Sequence, residues 1–124
     1  MAREIVAGWR AKMPDPKLSF EAVSHYSFSR ASCYVLVTSR QYIPTDINWE
    51  TRSLMEAQGG SGLAEVSTKH WAGHTPSQWG EVADPSYAGE PAKPEGFSEQ
   101  EGTAYGLKRF DWAKKYIDLK MSEP

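Results

Sequence analysis

The chain has 124 residues, a formal net charge of −2, a single cysteine and 24% charged side chains. Such a length fits one domain, 1–124, a lone cysteine excludes an internal disulfide, and no apolar run reaches the roughly 18–20 residues of a membrane span. Ile, Leu, Val and Phe together number 20, below the share at which an aliphatic core is comfortable, but so small a net charge argues against disorder. Five Trp, six Tyr and four Phe must supply the missing bulk. Such rings suit cores that reach a surface, and interfaces with other chains.

In chain order, Ile5, Trp9 and Met13 recur at helical spacing, with Val6 beside them. They predict an amphipathic helix over 3–13, stopped by Pro14-Asp15-Pro16. Alternation at Leu18, Phe20 and Ala22 favours a strand over 17–28. Residues 32–39 are β-branched and aromatic, apolar on both faces from Tyr34 to Val37, and predict a central strand that Gln41-Tyr42-Ile43 extends. Pro44-Thr45-Asp46 turns the chain. Asp46 or Asn48 as a cap, then Trp49, Leu54, Met55 and Ala57, with Arg52 and Glu56 able to pair at i, i+4, predict a helix to Gln58, ended by Gly59-Gly60.

Leu63 to His70 alternates as a half-buried strand. Thr75-Pro76-Ser77-Gln78 has the pattern of a capping box opening a short helix toward Val82. Residues 70–97 otherwise read as one long, ordered Pro/Gly-rich loop, and a loop of that length is usually functional or disordered. Ser98-Glu99-Gln100-Glu101 is a second capping-box pattern. It predicts a helix in part of 99–115, followed by a strand at 116–121, where Tyr116, Asp118 and Lys120 alternate with Ile117, Leu119 and Met121. The expected fold is α+β: a small, mostly antiparallel sheet with two or three helices on one face.

Few patterns carry chemistry. His70 and His74 have the four-residue spacing of zinc-binding helices, but Trp71 follows His70 where such motifs place a glutamate. On a strand they would lie about 13 Å apart. A transition-metal site of His70, His74 and His25 therefore needs a loop that curls back, and no other cofactor is implied. Cys33 opens the most apolar strand and reads as a buried small hydrophobe rather than a nucleophile. Gly59-Gly60-Ser61-Gly62 lacks the following Lys-Ser/Thr of a phosphate loop and leaves a helix instead of entering one. Glu50, Glu56 and Glu65 do not converge as acid–base partners.

Lys108, Arg109, Lys114, Lys115 and Lys120 interleave with Phe110, Trp112 and Tyr116, the composition of a surface that stacks bases and binds phosphates. Asp111 and Asp118 dilute it. Residues 81–101 carry six carboxylates against Lys93, so nucleic acid is disfavoured as a partner along that part of the surface. Trp71, Trp79, Tyr87 and Phe97, together with Trp112 and Tyr116, instead form a set of candidate anchors for another protein chain or a second copy, because Trp and Tyr dominate binding hot spots.

The sequence thus favours a non-catalytic, intracellular binding protein: an accessory subunit of an assembly or a small protein inhibitor, of phage or plasmid type. Its alternatives are a metal-dependent enzyme using His70 and His74, and a single-strand nucleic-acid binder using residues 105–120. The single cysteine, and an N-terminus without an apolar run of signal-peptide length, place it in the cytoplasm.

Overall fold

A computed structural model describes residues 2–12, 18–42, 47–71, 73–96 and 98–124, with the side chains of residues 9–12 and 47 outside the description. The elements run α1 (Ala2–Lys12), β1 (Leu18–Ser27), β2 (Ser32–Tyr42), β3 (Ile47–Glu56), β4 (Gly62–Trp71), β5 (Ser77–Val82) and α2 (Glu99–Met121). The five strands form one antiparallel meander in the order β1-β2-β3-β4-β5. This is the expected α+β class, with α1, β1, β2 and β4 close to where periodicity puts them. Pro14, Pro16, the turn at 44–46 and Phe97 lie outside the described residues, as does the side chain of Trp9.

Three elements differ from the sequence reading. Residues 47–56 are a strand, not a helix. Leu54 lies opposite both Leu36 of β2 and Ala64 of β4, and a strand hydrogen-bonded on both sides overrides a modest helical preference. Residues 77–82 are also a strand, so Pro76 precedes a strand rather than opening a helix. The presumed terminal strand at 116–121 is instead the last turns of α2. There Ala113, Tyr116 and Ile117 are buried at i, i+3 and i+4, the spacing of one helix face.

The long loop contracts accordingly, because β4 runs to Trp71 and β5 takes up 77–82. Residues 83–96, all described, are without helix or strand. Gly59-Gly60 belongs to the β3–β4 hairpin, where Gly60 has φ 67°, a conformation that glycine adopts without steric cost.

The helices take opposite faces of the sheet, not one. Ile5 and Val6 of α1 pack with Phe20, Val35 and Val37. Ala113, Tyr116 and Ile117 of α2 pack with Tyr34, Leu54, Ala64 and Val66. The double-sided apolar run of β2 has this cause: Val35 and Val37 serve one layer, Tyr34 and Leu36 the other. Among the described residues no helix is long and apolar enough to cross a membrane.

Candidate binding surface

Some aromatic side chains hold the chain to itself, some are left at the surface, and Trp79 does both. Ser98 starts α2 as foreseen: its Oγ accepts from the Glu101 amide at 3.1 Å. The segment 83–96 then lies along α2. Tyr87 stacks on Trp112 with centroids 5.4 Å apart and meets the edge of Tyr116 at 4.9 Å. Its hydroxyl donates to the Trp112 carbonyl at 3.0 Å, and Trp112 Nε1 donates to the Ala88 carbonyl at 3.0 Å. Gly89, with φ 88°, passes close against the Trp112 ring.

Asp84 closes the same cluster. It accepts from the Ser86 amide and hydroxyl at 2.9 and 2.6 Å and from the Tyr116 hydroxyl at 3.2 Å. The Ser86 bonds hold its carboxyl below the usual carboxylate range. Burial, reinforced by Asp84, pushes the Tyr116 phenol well above its ordinary value. Tyr116 is buried, Tyr87 and Trp112 are half-buried, and all three act as internal staples.

Arg109 is the second fastening. Its guanidinium lies 4.8 Å from the Trp79 ring centroid, 5.3 Å from that of Trp112 and 5.8 Å from that of Tyr105. Nε donates to the Gly80 carbonyl at 2.9 Å, and Nη1 reaches Glu90 at 3.0 Å. A cation among ring faces gains from their quadrupoles. The basic–aromatic composition of 105–120 therefore resolves into an amphipathic helix, with Arg109 and Tyr116 facing inward and Lys108, Lys114 and Lys115 exposed.

The histidines are not brought together. His25 on β1 bonds the Glu123 carbonyl through Nε2 at 2.6 Å. His70 on β4 is three strands away in the sheet order, about 14 Å at ordinary strand spacing. His70 lines a groove of about 330 Å³ with Arg40, Tyr42, Asn48, Glu50 and Thr68, whereas His74 lines a separate hollow of about 840 Å³ with Trp71, Thr75 and Glu99. Among the described residues, no group of three His, Cys, Asp or Glu is placed to hold a metal ion. The first groove has a charge ladder at its rim. Arg40 bonds Glu50 at 2.8 Å and Glu21 at 3.2 Å, Arg52 bonds Glu50 at 3.1 Å, and Arg40 above all holds the Glu50 carboxyl low.

The other sheet face carries the surface aromatics. The register sets Trp49 opposite Lys69 and Ile47 opposite Trp71, and Ser67 opposite Trp79. Directly paired residues share a face, as do residues two apart along a strand, so Trp49, Lys69, Trp71 and Trp79 emerge together. The Lys69 ammonium sits 4.4 Å from the Trp49 ring centroid. Trp49 and Trp79 are each 40% exposed, and Trp71 is half-buried. Beside Trp49 lies a shallow groove of about 200 Å³ lined by Leu18, Ser39, Gln41 and Thr51. Trp79 leans over the β5 edge to meet Tyr105 with centroids 5.6 Å apart, and its Nε1 donates to Glu81 at 3.2 Å.

Trp71 and Trp79 were candidate anchors in the sequence. Trp49 was hidden by the helix expected there, although Trp49, Thr51, Ser53 and Met55 alternate with polar Asn48, Glu50 and Arg52. No protein-family model, curated protein or solved structure matches this chain.

Proposed function

We infer that the chain is a non-catalytic binding protein, an accessory subunit or small inhibitor, and that it meets another protein through the β3–β5 face bearing Trp49, Trp71 and Trp79. The observation that carries this reading is the exposure of two tryptophans on one rigid sheet face, either side of a lysine. Large rings with few rotatable bonds give up little entropy when a partner covers them, and they concentrate binding energy. The face around them is polar, with Thr51, Ser53, Ser67 and Lys69, as suits a surface that is solvated when free. Tyr87, Trp112 and Tyr116, named with them from the sequence, belong to the scaffold that holds this face in place.

The test is a capture experiment from native extract, followed by calorimetric titration of the purified captured chain. Trp49→Ala and Trp79→Ala should each weaken that association by about 2 kcal/mol or more, the hot-spot scale. Trp49→Ala should leave the thermal transition within about 1 kcal/mol of the parent. Unchanged affinity in both variants would remove the reading, as would binding lost only in proportion to folded protein.

A further inference from the structure

The opposite end of the sheet presents a different kind of surface. β1 is an end strand, and the register shows which of its backbone groups face outward. The Ala57 amide donates to the Cys33 carbonyl, so odd-numbered residues of β2 bond β3 and even-numbered ones bond β1. Leu36 lies opposite Val23, and Tyr34 opposite His25. Odd residues of β1 therefore turn their amides inward, while Ala22 and Ser24 turn theirs away from the sheet. Leu18–Ser27 has no proline, no lysine and no register shift, three of the usual devices that keep an edge from pairing, and its one charged residue, Glu21, is turned to Arg40 of its own sheet.

We propose that β1 pairs antiparallel with β1 of a second copy of this chain, about a two-fold axis passing at Val23. Outward groups must meet outward groups, so each residue pairs with one of the same parity and the axis must fall on a residue. An axis at Val23 sets Glu21 of each copy, which keeps Arg40 at 3.2 Å, opposite His25 of the other, whose Nε2 holds the Glu123 carbonyl and whose Nδ1 is left to meet the carboxylate, twice. An axis at Ala22 sets Glu21 against Val23. One at Ser24 sets Val23 against His25 and Glu21 against the buried Ser27. Side-chain hydrogen-bonding complementarity thus favours one register.

Exposure agrees with it. Val23, 60% exposed, meets its own copy, and Tyr26, 46% exposed, becomes the diagonal neighbour of Ala22 in the other copy. There a groove of about 300 Å³, walled by Ala2, Arg3, Val6, Ala7 and Ala22, receives the ring. Ala22 and Ser24 exchange about four backbone hydrogen bonds across the axis. This inference is independent of the tryptophan face, which lies on other strands.

The test is cross-linking in a Cys33→Ser background. Val23 and its copy form a non-hydrogen-bonded pair with Cα atoms about 4.5 Å apart, within disulfide reach. Under mild oxidation Val23→Cys should give a covalent species of twice 13.9 kDa, whereas Ser19→Cys, which faces Ser27 of the other copy, should not. By sedimentation equilibrium the natural chain should be dimeric. Ser24→Pro, which removes an outward amide and no inward one, should be monomeric with unchanged circular dichroism, and Trp49→Ala should remain dimeric. A natural chain that stays monomeric at high micromolar concentration overturns the proposal. So does a dimer in which Val23→Cys fails to cross-link, or one that a folded Ser24→Pro chain still forms.

Discussion

At β5 the sheet edge is sealed by its own chain, whereas at β1, among the described residues, the C-terminal Glu123 and Pro124 reach the strand only by bonding the side chains of His25 and Ser27. Gly80 and Gly106 let α2 approach β5 until helix and strand backbones touch. A Cβ built on Gly80 would lie 2.5 Å from the Arg109 carbonyl oxygen and 2.7 Å from Ala113 Cβ, and one on Gly106 would meet the Gln78 carbonyl oxygen. Arg109 then takes the outward Gly80 carbonyl as its acceptor, and residues 83–96 close over the helix. At β1, α1 covers one face, and among the described residues no backbone hydrogen bond reaches the outward amides of Ala22 and Ser24. The contrast teaches that the aromatic wealth of this chain is concentrated where an edge is closed. At the β1 edge the rings Tyr26 and Phe28 meet each other and stay exposed instead of closing the edge, which is the one left for a neighbour.

The sharpest way to break the comparison is to fill the close contact. Gly80→Ala or Gly106→Ala should drive α2 off β5, because the obstructing atoms are mostly backbone. The expected loss is about 3 kcal/mol, the upper end for overpacking, read by urea denaturation. Gly8→Ala, where the added Cβ meets nothing within 4 Å, should be neutral or stabilise α1 by about 0.5–1 kcal/mol. Equal effects at the three glycines would show that the β5 edge is no tighter than the α1 surface.

Arg109→Met comes next. It keeps the aliphatic stem among the rings but leaves the Gly80 carbonyl without its donor and Glu90 without its cation. The loss should be about 1–3 kcal/mol, the scale of a buried acceptor stripped of its partner. Amide exchange should rise in 83–96 while β1 and β2 keep their protection. Uniform loss of protection across the sheet would show that the fastening is not local to the β5 edge.

How much of this was legible follows from the range of each signal. α1, β1, β2 and β4 announce themselves by periodicity over their own length, and Ser98 by a capping pattern. β3 and β5 do not, because local cues pointed elsewhere: Arg52 and Glu56 at i, i+4, and Thr75-Pro76-Ser77-Gln78 as a capping box. Their strand character is decided by neighbours distant in sequence. A Gly-rich turn between two alternating runs was the available hairpin signal at 59–62, and it outweighs the helix stop read there. For the candidate surface, Trp71 and Trp79 could be named from composition. Trp49 could not join them until β3 had a register, and the capture of Arg109 by three rings depends on helix packing that no local pattern encodes.

The finest probe of the open sheet face is Glu65→Gln. Glu65 pairs directly across from Glu81 on the tryptophan face. Although the residue is exposed, partial burial of its carboxyl, with Glu81 adding to it, raises its pKa above the ordinary 4.5. A carboxyl with a raised folded-state pKa binds protons more tightly when folded. Its contribution to stability is therefore present below about pH 4.5 and is lost as pH climbs through the folded-state value. Glutamine mimics the protonated form at every pH. The variant should melt slightly higher than the parent at pH 7, by no more than about 0.5 kcal/mol in stability, and the two should converge near pH 3.5. A variant that melts lower at pH 7, or a difference that persists unchanged in acid, would mean that Glu65 and Glu81 do not repel across the strands. The open face would then be as well matched in charge as the Arg40–Glu50–Arg52 ladder on the other side of the sheet.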